Sequence, residues 1–228
     1  MTGTVCLQGG GEFSPGCRVM DAELVRRAGG RVVVSALAAA PGWDYQTATA
    51  HGVSHFRAIG ATDVLGAPDA REVPEPAAEI LRTARLLVLP GGSPSRLLAA
   101  VRGTPVEVVV AALLDDDGVV MGASAGAMVL CPWTVLPDRR GPNGMAVERG
   151  LDLVPGLLVV PHWSGGGSRG DWLRAIDATV PAGVQVLGIP EESGVMVEGT
   201  TLTAVGRSPS RLITDGRDLA VGASWAPA

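Results

Sequence analysis

The stretch from Val119 to Leu130, VVMGASAGAMVL, constrains the fold of this chain more than any other. A short β-branched run leads into Gly122-Ala123-Ser124-Ala125-Gly126, and an apolar run of helical character follows. Strand, sharp turn and helix in that order form the pattern of a nucleophile elbow. A serine on such a turn takes a strained backbone conformation, and the residues two before and two after it must be small for strand and helix to pass closely. Gly122 and Gly126 meet that demand, and Ala123 and Ala125 keep the flanks open. The turn also sets Ser124 at the amino end of a helix, where free N–H groups and the helix dipole favour an oxyanion. A turn that only packs a helix on a sheet would have the same spacing, so the stretch nominates Ser124 without assigning it.

The rest of the chain alternates strand and helix. Strands are expected at Val5 to Gln8, Arg31 to Leu37, Val64-Leu65, Leu86 to Leu89, Leu157 to Val160 and Gln185 to Ile189. Helices are expected over Asp21 to Ala28, Tyr45 to Ile59, Pro74 to Arg85, Pro94 to Val101, Val106 to Leu114 and Asp171 to Thr179. Such alternation predicts an α/β architecture, a mostly parallel sheet with helices on both faces. Val195 to Val205 alternates around Glu198-Gly199 as a β-hairpin does, whereas Trp133 to Gly150, with its prolines and charges, reads as a long loop. No repeat or linker divides the chain, so residues 1–228 are read as one domain.

Charge excludes several partners. The 18 basic and 23 acidic residues give a net charge of −5 with no basic cluster, which speaks against a nucleic acid or an anionic membrane as partner. No apolar run reaches membrane-spanning length, and the amino terminus lacks the basic and apolar regions of a secretion signal. Cys6, Cys17 and Cys131 are odd in number and lack metal-site spacing, as expected of small core residues in a reducing cytoplasm.

Ligands of open α/β sheets bind outside the carboxyl ends of the strands. Four chemically competent groups fall at such ends: Gly91-Gly92, Ser124, His162 and Glu191. His162, which closes a strand after the elbow, is the natural general base to take the Ser124 proton and return it to a leaving amine. His51 and His55 have i, i+4 spacing but no third ligand, and are expected on a solvated helix face. Two carboxylates compete to orient the base. Glu191 lies on a short turn beside the His162 strand, with Glu192 pointing away, while Asp138 lies in the post-elbow loop beside Arg139 and Arg140, where a solvated ion pair is the usual role. Glu191 is favoured and Asp138 kept as the alternative. Gly92, or its neighbour Gly91, can present an unobstructed N–H to pair with that of Ala125 as an oxyanion hole. Gly9-Gly10-Gly11 lacks the spacing and lysine of a phosphate-binding loop.

Five segments together resemble the peptidase E and cyanophycinase family of serine peptidases: Gln8-Gly-Gly-Gly-Glu12, Leu89-Pro-Gly-Gly-Ser93, Gly122-Ala-Ser-Ala-Gly-Ala127, Val160-Pro-His-Trp163 and Gly188-Ile-Pro-Glu-Glu192. They occur in the family's order across nearly the whole chain. The resemblance implies a flavodoxin-like three-layer sandwich, akin to class I glutamine amidotransferase domains with serine in place of cysteine. It further implies a Ser-His-Glu triad at Ser124, His162 and Glu191, with the post-elbow aspartate, Asp138, as the other acid known in the family. Family members cleave next to aspartyl residues, and an acidic substrate group calls for a guanidinium, for which Arg169, seven residues beyond His162, is the candidate, ahead of Arg174, which falls on an expected helix where a solvated role is usual. Before His162 the chain has Val159-Val160-Pro161 where cyanophycinases carry a polar pair, which disfavours the polymer as substrate.

The expectation is therefore a serine exopeptidase or dipeptidase acting on small peptides beside Asp or isoAsp, with no metal or organic cofactor. An esterase is the nearest rival, disfavoured because the histidine follows the serine by only a few dozen residues. A non-catalytic binding protein on the same fold is the other. The linkage of the aspartyl group, the length of the substrate, and the choice between monomer and homodimer stay open.

Overall fold

A computed structural model describes residues 2–138 and 144–226. An eight-stranded sheet forms its centre. The parallel part comprises β1 (Thr4–Gln8), β2 (Val32–Val34), β3 (Val64–Gly66), β4 (Leu86–Leu89) and β5 (Val119–Ala123). Beyond β1 the sheet turns antiparallel through β10 (Ser193–Glu198), β11 (Thr201–Gly206) and β14 (Ser224–Trp225), for a full order of β14-β11-β10-β1-β5-β4-β2-β3. The chain thus has an α/β fold with a large mixed sheet.

The short apolar strands are explained by burial on both faces. Val5, Leu7, Val33, Leu87, Leu89 and Val120 point into a core shared with α3 (Pro74–Leu81), α4 (Pro94–Val101), α5 (Pro105–Asp115) and α6 (Ala125–Leu130). Their neighbours Cys6, Val32, Val34, Leu86, Val88 and Met121 pack with residues of α1 (Arg18–Ala28) and α2 (Trp43–Ala58). The prolines at or near the starts of α3, α4 and α5 cost little, because the first helical N–H groups need no intrahelical partner. Ser93 and Thr104 cap α4 and α5 by accepting from Arg96 N and Val106 N. No single helix among the described residues is long and apolar enough to cross a membrane.

Two expectations need correction. Trp133 to Gly150 is not a loop: β6 (Trp133–Pro137) and β7 (Met145–Arg149) form an antiparallel ribbon. Thr134, Val135 and Leu136 are buried, and Pro137 stands at the strand's last position, where a missing N–H is tolerated. Arg139 and Arg140 lie outside the described residues. Secondly, the strands before His162 and Glu191 are not in the main sheet. β8 (Leu157–Pro161) and β9 (Gln185–Ile189) pair in parallel in a second sheet of order β13-β12-β9-β8, completed by β12 (Ser210–Leu212) and β13 (Arg217–Leu219). The helix between β8 and β9, α7 (Gly170–Thr179), packs its Ile176 with Leu158, Val160 and Val186 of this sheet.

Candidate active site

The carboxyl ends of β1, β4 and β5 lie level, because Gln8 pairs with Ala123 and Leu89 with Gly122. The turn after β5 is as tight as the sequence requires. Ser124 has φ 47° and ψ −106°, a conformation seldom adopted outside glycine, and its N–H donates to the Gln8 carbonyl across 2.9 Å. A β-carbon on Gly122 would stand 2.6 Å from the Gly126 carbonyl carbon, and one on Gly126 would run into the Leu89 carbonyl oxygen. Strand, turn and helix therefore touch backbone to backbone.

The second sheet is joined to this edge by the Gly9 to Gly11 turn. Gly9 N–H donates to Ser193 O (2.9 Å), while the Gly9 and Gly10 carbonyls accept from His162 N (2.8 Å) and Glu192 N (2.8 Å). Both residues held this way have positive φ, 52° at His162 and 56° at Glu192. Gly10, with φ 125°, has the His162 ring where a side chain would be: a β-carbon there would stand 2.6 Å from Nδ1. On β9, Gly188 leaves room for the Trp163 ring, whose nearest atom would be 2.5 Å from a β-carbon.

The result is a single hydrogen-bonded chain of side chains. Ser124 Oγ stands 2.8 Å from His162 Nε2, and His162 Nδ1 stands 3.0 Å from Glu191 Oε1. The assembly opens to solvent, with the His162 and Glu191 side chains 38% and 63% exposed. Asp138 belongs to another neighbourhood, the groove lined by Ser95, Leu98, Arg102 and Glu148, and both His162 ring nitrogens are already engaged. Glu192 turns away from the ring. Its carboxylate accepts from Ser14 Oγ and Arg207 (2.7 Å each), and these contacts hold its pKa below the ordinary glutamate value.

Gly92, with φ 140°, presses on the Ala38 carbonyl, which would be 2.6 Å from a β-carbon. That same carbonyl accepts from Ser93 N and from the Arg96 guanidinium at 2.8 Å. The Gly91 N–H, by contrast, is taken: it donates to Glu12 Oε1 across 2.7 Å. Arg169 ends a short 3₁₀ turn after His162, with its guanidinium 4.8 Å from the centre of the Trp172 ring.

Neither Glu12 nor Arg96 was assigned a role by sequence reasoning. The available signal was position, since each follows a glycine turn at a strand's carboxyl end. The expectation for His55 is overturned. It is buried, its Nε2 is 2.8 Å from Asp21 Oδ2, and Phe13 covers it at 5.4 Å between ring centres. Burial raises the Asp21 pKa, and the hydrogen bond from His55 offsets part of that rise. His51 is exposed, as expected of a solvated helix face.

A serine on a strained elbow, an imidazole and a carboxylate in hydrogen-bonded series form the arrangement of serine hydrolases. Comparison with known proteins narrows the class: residues 39–205 match the model of Peptidase family S51, and the chain belongs to that family of serine peptidases. The whole chain superposes on 98% of a peptidase from an acI-B1 Actinobacterium, with a TM-score of 0.82 and 21% identity. Over 91% of its length it also matches all of the peptidase E candidate of Listeria monocytogenes EGD-e, with a TM-score of 0.62 and 14% identity. At these identities the two likenesses establish the fold alone, which is the class I glutamine amidotransferase-like fold that the family implies. No curated protein is significantly similar to the chain.

Proposed function

We propose that this chain is a serine exopeptidase that hydrolyses small peptides beside an aspartyl or isoaspartyl residue, through an acyl-enzyme on Ser124. One observation carries the reading: Ser124 Oγ, the His162 ring and Glu191 Oε1 stand in series at 2.8 and 3.0 Å. Ser124 Oγ attacks the scissile carbonyl carbon while its proton passes to His162 Nε2. Glu191 accepts from Nδ1–H, which fixes the tautomer and stabilises the imidazolium. The Gly92 and Ala125 N–H groups receive the oxyanion, since the Gly91 N–H is engaged by Glu12. Collapse of the tetrahedral intermediate expels the amine, which takes the His162 proton, and water then repeats the sequence on the acyl-enzyme.

The acidic preference is proposed on family grounds, with Arg169 as the cation that receives the substrate carboxylate. Arg96 is a second candidate, because its guanidinium is anchored on the carbonyl that abuts Gly92. The test is hydrolysis of Asp-Leu, isoAsp-Leu, Glu-Leu and Ala-Leu, followed by mass spectrometry, with Ser124→Ala as control. Cleavage confined to the aspartyl peptides and absent in the variant is the expected result. Cleavage that survives Ser124→Ala would refute the mechanism.

A further inference from the structure

We infer that Glu12 is the specificity residue for the free α-ammonium of the substrate's first residue, so that the site reads a peptide's amino terminus. The inference rests on the peptidase reading above and deepens it. Glu12 follows the Gly9 to Gly11 turn and is half-buried, and its carboxylate spans from β1 to the turn after β4, accepting from Gly91 N at 2.7 Å. The place of a Gly91 β-carbon borders both groups of interest, 2.7 Å from Glu12 Oε1 and 3.2 Å from Ser124 Cβ. A carboxylate thus flanks the nucleophile, one residue from the proposed oxyanion donor Gly92.

Two further observations and the covalent geometry of the substrate point to a cation as its missing partner. Among the described residues no arginine or histidine forms an ion pair with Glu12, and its hydrogen bond from Gly91 N engages Oε1 alone. The chain contains no lysine, so all 18 basic side chains are arginines, and Arg96 is held close to this turn by its hydrogen bond to Ala38 O. A partly desolvated carboxylate gains most from a charge-assisted hydrogen bond. The group that a substrate can bring this close to Ser124 is set by covalent geometry. The α-ammonium of the acylating residue is two bonds from the carbonyl carbon that Oγ attacks in an aspartyl peptide and three in an isoaspartyl one, whereas a side-chain cation such as that of lysine is several bonds more distant. A negative Glu12 held at Gly91 and a positive Arg96 held on the carbonyl that abuts Gly92 suit an amino-terminal residue that is both ammonium and carboxylate.

Glu12→Gln tests this cleanly, because the amide oxygen can still accept from Gly91 N–H and only the charge is lost. Binding is measured by calorimetry in a Ser124→Ala background with two ligands, Asp-Leu and succinyl-leucine, which lacks only the amine. Asp-Leu should bind about 10- to 100-fold more tightly than succinyl-leucine, the range for a hydrogen bond between charged groups, and Glu12→Gln should abolish the difference. A preference that survives Glu12→Gln, equal binding of the two ligands, or binding of neither would overturn the inference. Hydrolysis of Asp-Leu by the unaltered chain is followed separately. Selective, Glu12-dependent binding without hydrolysis would support the carboxylate's role while refuting the peptidase reading, and hydrolysis without selectivity would do the reverse.

Discussion

Gly10→Ala should disable the site although Gly10 supplies no reacting group. A β-carbon at residue 10 would lie 2.6 Å from His162 Nδ1 and 3.2 Å from Nε2, with Cε1 nearer still. Non-bonded heavy atoms settle at about 3.5–4.0 Å, so the imidazole must retreat by roughly 1 Å. The His162 backbone cannot follow easily, since its N–H is held by the Gly9 carbonyl at 2.8 Å and its φ is already 52°. The ring must therefore swing away from Ser124 Oγ, and a displacement of ~1 Å at a reacting group costs on the order of 10²-fold in rate. The substitution also strains the backbone at φ 125°, so a control is needed. Gly60 has φ 102° and nothing within 4 Å of its β-carbon position, so Gly60→Ala pays a similar conformational cost, of roughly 1–3 kcal/mol, without touching the site. The assay is the rate of Ser124 labelling by a fluorophosphonate, which needs no knowledge of the substrate, together with thermal unfolding of both variants. Labelling by Gly10→Ala as fast as by Gly60→Ala would show that the glycine is not what positions the base.

Other perturbations have equally specific outcomes. Glu191→Gln should lower kcat by about 10²-fold rather than the roughly 10⁴-fold of a buried triad acid, because water competes for a carboxylate that is 63% exposed; steady-state kinetics decide. Glu192→Gln should destabilise at neutral pH and not in acid. The folded-state pKa of Glu192 is depressed by Ser14 and Arg207, so its contribution is complete above the ordinary glutamate pKa and is lost as pH falls through the folded value. Urea unfolding of both proteins at pH 7 and in strong acid should show the gap closing. Gly126→Ala should cost about 1–3 kcal/mol or more in the same assay, since its β-carbon would meet the rigid Leu89 carbonyl rather than a side chain. Burial raises the thiol pKa of Cys6, Cys17 and Cys131, to about 11 for Cys17, so a disulfide reagent at neutral pH should titrate three thiols only after unfolding.

The parts of the site that could be read from sequence are those whose constraints are local. Gly122 and Gly126 announce the elbow because a strand-to-helix reversal over five residues leaves no room for a β-carbon, whatever surrounds it. The Pro190-Glu191 turn is legible beside the His162 strand because successive strands joined by one helix pair in parallel as a rule, and β8 and β9 do so. His55 could not be read in this way. Its i, i+4 partner His51 is exposed, and nothing within α2 shows that Asp21 of α1 faces the other ring. The β6–β7 ribbon was hidden for a related reason: Val135 packs on Met128 of α6 and Leu158 of β8, contacts that no pattern inside the ribbon reveals, so turn-rich composition outweighed a short apolar alternation.

Glu12 marks the limit of local reading and the reason structure adds to it. In sequence it is a carboxylate after three glycines, with the ordinary expectation of a solvated turn. In the fold it is 79 residues from the amide that holds it, and it matters because that amide is the neighbour of the proposed oxyanion donor. The same glycine turn performs two tasks through different atoms: its carbonyls fix the backbones of His162 and Glu192, and its end sets the Glu12 carboxylate on Gly91 N. Shortening or stiffening this turn should therefore disturb the alignment of the base and the recognition of the substrate together. Altering the Glu12 side chain alone should separate them, changing ligand preference while the Ser124 to His162 geometry stays in place.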